Sequence, residues 1–172
     1  AAGLFGYFGY DMIRQIETIP DSNPASLDAP DSDLLRPSLI AIFDRLKDSI
    51  TLVTQIRPAE WQDADIAWKT AQERLGEAVA ALDAPLLPTE GGRIDAPIPT
   101  PTSNMTKERF LEMVQKAKNY IKAGDIFQVV LSQRFTIPFE LPAFNLYRSL
   151  RRLNPSPFLF FFNFGNLSVV GS

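Results

Sequence analysis

The sequence contains neither cysteine nor histidine, and the two absences narrow its possible chemistry. Without cysteine, disulfide bonds and thiolate catalysis are excluded. Without histidine, imidazole bases, serine–histidine nucleophile systems and nearly all zinc sites are excluded. The apolar run at residues 157–162 is far shorter than the roughly 20 residues that a membrane helix needs. We therefore predict no membrane association and a cytoplasmic location.

Strong charge of either sign is also missing. The 172 residues carry 17 Lys+Arg and 20 Asp+Glu, a formal net charge of -3, which argues against a nucleic-acid surface. The one basic cluster (Arg148, Arg151 and Arg152) is predicted to be the solvated face of a helix. The aspartates of the loop at residues 20–37 lack the spacing of a calcium loop, so the residues predict no metal site.

Periodicity and helix breakers predict a mixture of helices and antiparallel strands. Helices are predicted at residues 60–82, 107–123 and 143–153, and strands at 3–10, 39–46, 50–55, 126–137, 158–163 and 167–170. Trp68 is predicted to anchor the core from the first helix. The Pro/Thr-rich stretch 84–103 reads as a linker between an N-terminal lobe (1–83) and a second lobe (104–172). Both ends of the sequence read as strand, so we expect an internal piece of a longer protein.

Polar residues share one face of the predicted strand 126–137, namely Gln128, Ser132 and Arg134. The simpler interpretation is the solvated face of a sheet, because a buried polar group without a partner costs about 1–3 kcal/mol. The functional alternative is a polar ligand pocket, in which Gln128 forms hydrogen bonds and Arg134 pairs with a carboxylate.

A second candidate site lies between the third helix and the next strand. Its residues are Asn154, Pro155, Ser156, Pro157, Phe158 and Leu159. The simpler interpretation is a rigid connection that leads into a core strand. Alternatively, the two prolines hold the backbone extended and leave carbonyl groups free beside an apolar wall, which would suit an ammonium-bearing amino acid.

Four segments, in the same order, resemble motifs of the anthranilate synthase large subunits. Residues 120–135 (YIKAGDIFQVVLSQRF) resemble the A-G-D-I-F-Q-V-V-x-S-x-R-F signature, and residues 154–160 (NPSPFLF) resemble N-P-S-P-[YF]-[ML]-F. Residues 6–11 (GYFGYD) resemble the G-Y-x-x-Y-D strand, and residues 43–47 (FDRLK) the F-D-x-x-K hairpin. Together these segments extend over nearly the whole chain.

The resemblance implies an α+β fold, in which packed antiparallel sheets are flanked by helices. It implies an enzyme that binds chorismate with Mg²⁺, adds ammonia from a glutamine amidotransferase subunit (component II), and eliminates pyruvate to leave anthranilate. Relatives that use water carry a lysine base at the position of Gln128, so Gln128 is expected to orient substrate or nucleophile. Residues 154–159 are expected to line a feedback site for L-tryptophan.

The sequence also departs from that family. The upstream serine-containing pocket segment and the downstream half, with its catalytic histidine and magnesium-binding glutamates, are missing. We therefore expect the chain alone to be inactive and to lack the magnesium ligands. Two alternatives remain open: aminodeoxychorismate synthase component I of the folate branch, and a non-catalytic tryptophan-binding module. The residues at 127–130 and 156–159 favour anthranilate synthase.

Overall fold

The computed structural model describes residues 3–22, 27–57, 63–86, 97 and 99–172. The strands are β1 (Phe5–Phe8), β2 (Ser32–Leu35), β3 (Leu39–Asp44), β4 (Ser49–Thr54), β5 (Thr102–Ser103), β6 (Phe135–Thr136), β7 (Phe160–Asn163) and β8 (Ser168–Gly171). The helices are α1 (Ala64–Asp83), α2 (Lys107–Ala123) and α3 (Ala143–Leu153), and a 3₁₀ helix (Tyr10–Gln15) follows β1. The strands pair antiparallel as β1–β2, β3–β4, β5–β6 and β7–β8. The predicted α+β class with antiparallel sheets is confirmed.

The chain divides into two compact units. The first comprises residues 1–89 and 150–172, and the second comprises residues 90–149, so that α3 begins in one unit and ends in the other. The predicted lobes follow chain order instead and place residues 150–172 in the second lobe. Because residues 87–96 and 98 of the predicted linker lie outside the described part of the chain, the lobe boundaries remain a prediction.

In the first unit, the β3–β4 hairpin agrees with its prediction. Its register pairs Leu39 with Thr54 and Asp44 with Ser49. The Asp44 carboxylate accepts hydrogen bonds from the backbone N–H of Leu46 (3.0 Å) and Lys47 (3.1 Å), which closes the turn. Another strand pair of this unit is β1–β2, and the sequence did not predict β2. Residues 32–35 lie in the predicted loop 20–37, and their strand conformation comes from pairing with β1.

Helix α1 packs its small residues against β4. Of the described residues, only Ala67 (2% exposed) and Ala71 (5% exposed) are fully buried hydrophobic residues. The predicted start of this helix, at residues 60–62, lies outside the described part, and Asp63 caps the helix. The prediction that Trp68 anchors the core is wrong, since the residue is 62% exposed. The small alanine side chains take the buried positions of α1, whereas most of the Trp68 indole stays exposed.

In the second unit, α2 has the predicted bounds. The Thr106 hydroxyl accepts a hydrogen bond from the Arg109 N–H (3.2 Å) at its start, and Gly124, with φ of 83°, ends it. The predicted strand 126–137 is wrong except at β6. Its alternation favours an extended backbone, but a strand also needs a hydrogen-bonded neighbour. Among the described residues, only β5 pairs with this stretch.

Helix α3 also has the predicted bounds. Arg148, Arg151 and Arg152 are all exposed on it, as the solvated-face interpretation requires. The hairpin β7–β8 follows and agrees with its predicted strands to within two residues at each end. Its turn contains Gly165 with φ of 90°, a left-handed backbone that glycine adopts readily.

Candidate functional site

Residues 154–159 connect α3 to β7 through a tight turn. The Asn154 N–H donates to the Leu150 carbonyl (2.8 Å) and completes the last turn of α3. The helix ends there because Pro155 disfavours helical backbone in the residue before it. Ser156 then organises the turn: its hydroxyl accepts from the Phe158 N–H (3.2 Å), and its carbonyl from the Leu159 N–H (3.4 Å).

Both ends of this connection contact the end of β8. The Asn154 amide nitrogen donates to the Ser172 hydroxyl at 3.3 Å. At the other end, Phe160 pairs with Gly171 across the β7–β8 ladder, and its ring lies over that glycine. A Cβ on Gly171 would overlap the ring. Two adjacent residues, Gly171 and Ser172, thus contact the start of the loop at Asn154 and the residue after its end, Phe160.

An aromatic row extends from the loop along β7. The ring centroids are 5.2 Å apart for Phe160 and Phe162, and 5.9 Å apart for Phe162 and Phe164. Phe164 meets Tyr7 edge-on at 5.7 Å, and the Tyr7 hydroxyl donates to the Pro30 carbonyl at 2.8 Å. The row therefore brings together two segments that the sequence singled out, residues 6–11 and residues 154–160.

The side chains of the loop have different surroundings. Phe158 is 80% exposed, Leu159 and Ser156 are half-buried, and Pro155 and Pro157 are exposed. Neither proline has an N–H, so the backbone of the loop offers mainly carbonyl acceptors. The loop can thus present carbonyl oxygens next to an apolar aromatic surface, a combination that fits an ammonium group attached to an apolar ring.

Gln128 lies in the second unit, whereas the loop lies in the first, and each is described by itself. The Gln128 residue is exposed, and among the described residues its amide has no hydrogen-bond partner. Nearby, a groove of about 260 Å³ separates α2 from the segment after it. It is lined by Met113, Lys116, Ala117, Tyr120, Ile126, Val129 and Leu131. Gln128 is not part of that lining.

Of the remaining residues of the predicted polar face, Arg134 is bonded to the segment around β5. Its neighbour Gln133, predicted on the opposite face, also bonds there: its amide donates to the Ser103 hydroxyl at 2.8 Å. The Asn104 side-chain oxygen accepts a hydrogen bond from the Arg134 backbone N–H at 3.0 Å. In return, the Asn104 backbone N–H donates to the Arg134 carbonyl, also at 3.0 Å. These bonds fix the end of the segment before β6, and Ser132 stays exposed.

Magnesium would need a cluster of oxygen ligands, above all carboxylates. Within residues 3–22, 27–57, 63–86, 97 and 99–172, no three Asp, Glu, His or Cys side chains come close enough to hold a metal ion. The described residues therefore do not fit a magnesium site. No helix in the same residues is long and apolar enough to cross a membrane.

The profile of the chorismate binding enzymes matches residues 1–172, the full length of the chain. The chain belongs to the chorismate-binding enzyme family. It is 50% identical over 173 residues to anthranilate synthase component 1 of Cereibacter sphaeroides, covering 100% of this chain and 34% of that protein. It is 39% identical over 175 residues to the Pseudomonas putida protein of the same name, covering 99% and 35%.

A solved member of the family has the same fold. Anthranilate synthase component I from Streptococcus pneumoniae TIGR4 superposes with a TM-score of 0.81 at 29% identity, covering 99% of this chain and 38% of that one. The chain thus spans about a third of the length of the curated relatives. The resemblance to anthranilate synthase component I, carried in the sequence by four motifs, is confirmed.

Sequence reasoning missed the residues that contact the two ends of the loop 154–159. The predicted second strand of the hairpin ended at Val170, one residue before Gly171. The available signal was the glycine itself, because glycine in a strand often marks the close approach of another group. Its neighbour Ser172 carried no comparable signal.

Proposed function

We propose that this chain is part of an anthranilate synthase component I, which converts chorismate and ammonia to anthranilate and pyruvate. The observation that supports this most directly is the 50% identity to a protein of that name, maintained over 100% of the chain. The activity is assigned to the whole protein, because the chain spans about a third of its relatives' length. Ammonia would come from glutamine through an amidotransferase subunit, component II, and the protein would be cytoplasmic.

Gln128 is proposed to orient chorismate or the incoming ammonia. Its exposed amide has no partner among the described residues, so both its donor and its acceptor are available to a ligand. A neutral amide cannot remove a proton from water, which agrees with ammonia as the nucleophile. Mg²⁺ is proposed as the cofactor of the whole protein, and we assign none of its ligands to this chain.

The loop 154–159 is proposed to bind L-tryptophan as a feedback inhibitor. Its free carbonyl groups suit the ammonium of an amino acid, and the aromatic row that starts at Phe160 suits an indole ring. Inhibition requires that tryptophan bind one arrangement of the protein better than another, a coupling that typically amounts to about 1–3 kcal/mol.

The test is to express the protein from its complete reading frame and to follow anthranilate fluorescence with chorismate, Mg²⁺ and ammonia. We expect anthranilate and pyruvate in equal amounts, and inhibition by L-tryptophan. The 172-residue chain, assayed in parallel, is expected to be inactive. Aminodeoxychorismate as the product would move the assignment to the folate branch.

A second candidate function is a tryptophan-binding module without catalysis, favoured by the loop geometry alone. It predicts that the protein binds L-tryptophan in equilibrium dialysis but makes no product from chorismate.

The proposed partner is tested in the same fluorescence assay by replacing ammonia with glutamine and component II. Failure of component II to support turnover, while ammonia does, would remove the partner and leave the reaction in place.

A further inference from the structure

We propose that the groove between α1 and β4 binds an aromatic carboxylate whose ring and acid group are joined by a short chain. The groove has a volume of about 230 Å³, which is smaller than the cavities that hold drug-sized ligands and suits a molecule with one ring. It is lined by Leu52, Val53, Thr54, Ile56, Trp68, Ala71, Gln72 and Leu75. Neither Gln128 nor any residue of the loop 154–159 is among them, so this inference does not depend on the functions proposed for those residues.

Trp68 supplies a surface for the aromatic ring. The residue is 62% exposed although it lines an apolar groove, and its indole makes no contact with another ring in the described part of the chain. Leu52 and Leu75 contribute apolar walls beside it. A flat ring that stacks on the indole gains more than the burial of apolar area alone, which favours an aromatic ligand over an aliphatic one.

Arg74 supplies the charge for the carboxylate. Its guanidinium donates to the Thr54 hydroxyl at 2.9 Å, so one of its nitrogen atoms lies within hydrogen-bond distance of a residue that lines the groove. Arg74 is half-buried, and no Asp or Glu among the described residues lies within ion-pair distance of it. Because a guanidinium has five N–H donors, this single bond leaves enough of them to hold a carboxylate by two parallel hydrogen bonds.

Gln72 adds a neutral hydrogen-bonding group to the groove. It follows Trp68 by one turn of α1, so the two side chains are neighbours on one face of the helix. Its amide has no hydrogen-bond partner within the part of the chain that the structure describes. The amide can therefore donate to the carboxylate of a ligand whose ring lies on Trp68.

The separation of Trp68 and Arg74 determines which aromatic acids fit. The two residues are offset by about 9 Å along the helix axis, at a rise of about 1.5 Å per residue. An acid with its carboxylate directly on the ring is too short to stack on the indole and also reach the guanidinium. An acid with a short alkyl chain between ring and carboxylate can reach both, so the groove favours an arylalkanoate.

The experiment titrates the protein expressed from its complete reading frame with phenylpropanoate in a calorimeter, without chorismate. We expect saturable binding. Phenylpropanamide, which lacks the charge, should bind about tenfold more weakly, the scale of a lost charge-assisted hydrogen bond. Cyclohexylpropanoate, which lacks the flat ring, should bind about threefold more weakly, the scale of a lost aromatic pair.

Variants of α1 locate the binding in the groove. Arg74→Gln should weaken phenylpropanoate binding about tenfold or more, and Trp68→Leu about threefold. Lys69→Gln is the matched control, because it removes an exposed cation next to Trp68 that does not line the groove, and its affinity should be unchanged. If Arg74→Gln fails to fold, as its melting temperature would show, Trp68→Leu and Lys69→Gln decide the matter.

Several results would overturn the inference. They are a lack of saturable binding by the unmodified protein, equal affinity for phenylpropanoate and phenylpropanamide, and unchanged affinity in Trp68→Leu. Equal weakening in Arg74→Gln and Lys69→Gln would also overturn it, because that result indicates a general effect of charge. None of these titrations measures turnover or inhibition, so their failure leaves the proposed function in place, and failure of the anthranilate assay leaves this inference in place.

Discussion

Gly6 of β1 lies so close to Asp33 of β2 that a Cβ on the glycine would overlap the Asp33 carbonyl oxygen. The same approach continues at Gly9, whose N–H donates to the Asp31 carbonyl at 2.6 Å. The glycines of the segment 6–11 are therefore required by the pairing of two strands. They are explained by packing, without any contact to a ligand.

Gly6→Ala is accordingly expected to destabilise the protein by about 1–3 kcal/mol, the usual cost of an overpacked position. The backbone of β2 cannot move away without breaking its pairing with β1. The measurement is the urea midpoint of unfolding at unchanged m-value. Gly76→Ala is the matched control, because no atom lies within 4 Å of a Cβ at that exposed position in α1. It should stabilise by about 0.5–1 kcal/mol, since alanine is the better helix former.

A Gly6→Ala protein as stable as the unmodified one would contradict the close approach of β1 and β2.

Helices could be predicted from this sequence because their signals are local. The apolar spacing within 107–123, the cap at Thr106 and the stop at Gly124 are all properties of neighbouring residues. The Lys47–Asp48 turn between β3 and β4 is equally local. These elements were predicted to within a few residues of their bounds.

Strands with distant partners could not be predicted in the same way. Residues 126–137 have the alternation of a strand, but alternation does not supply a neighbour for the backbone groups. Residues 32–35 have no such alternation and nevertheless form β2, because β1 supplies that neighbour. The anchoring of the loop by Gly171 and Ser172 is likewise a contact between distant residues, and no periodicity reports it.

Asp63 caps the N-terminus of α1. The Asp63 carboxylate accepts hydrogen bonds from the N–H groups of Asp65 (2.8 Å) and Ile66 (3.3 Å). Asp63→Ala should cost about 1 kcal/mol, and Asp63→Asn should cost little, because asparagine caps equally well. Hydrogen exchange of the amides at 65 and 66 should accelerate in the alanine variant alone. Equal protection in both variants would show that the carboxylate is not the cap.

Thr54 joins α1 to the β3–β4 hairpin. Its hydroxyl accepts from the Arg74 guanidinium (2.9 Å) and donates to the Ser38 carbonyl (2.9 Å). Thr54→Val keeps the shape and removes both bonds, so we expect a loss of about 1–3 kcal/mol in the free energy of unfolding. Thr54→Ser keeps the hydroxyl and should lose less. A valine variant with unchanged stability would mean that water replaces both bonds without cost.

Substitution of Gln128 is expected to change activity and to leave stability unchanged. In the protein expressed from its complete reading frame, Gln128→Ala should lower kcat with ammonia about 10- to 100-fold, the effect of losing orientation at the reacting centre. The melting temperature should stay the same, because the side chain is exposed and has no partner among the described residues. Val130→Ala is the matched control: Val130 is 82% exposed in the same segment, and its loss should leave kcat unchanged. Full activity of Gln128→Ala would remove Gln128 from the reaction, whereas equal losses in both variants would point to the segment as a whole.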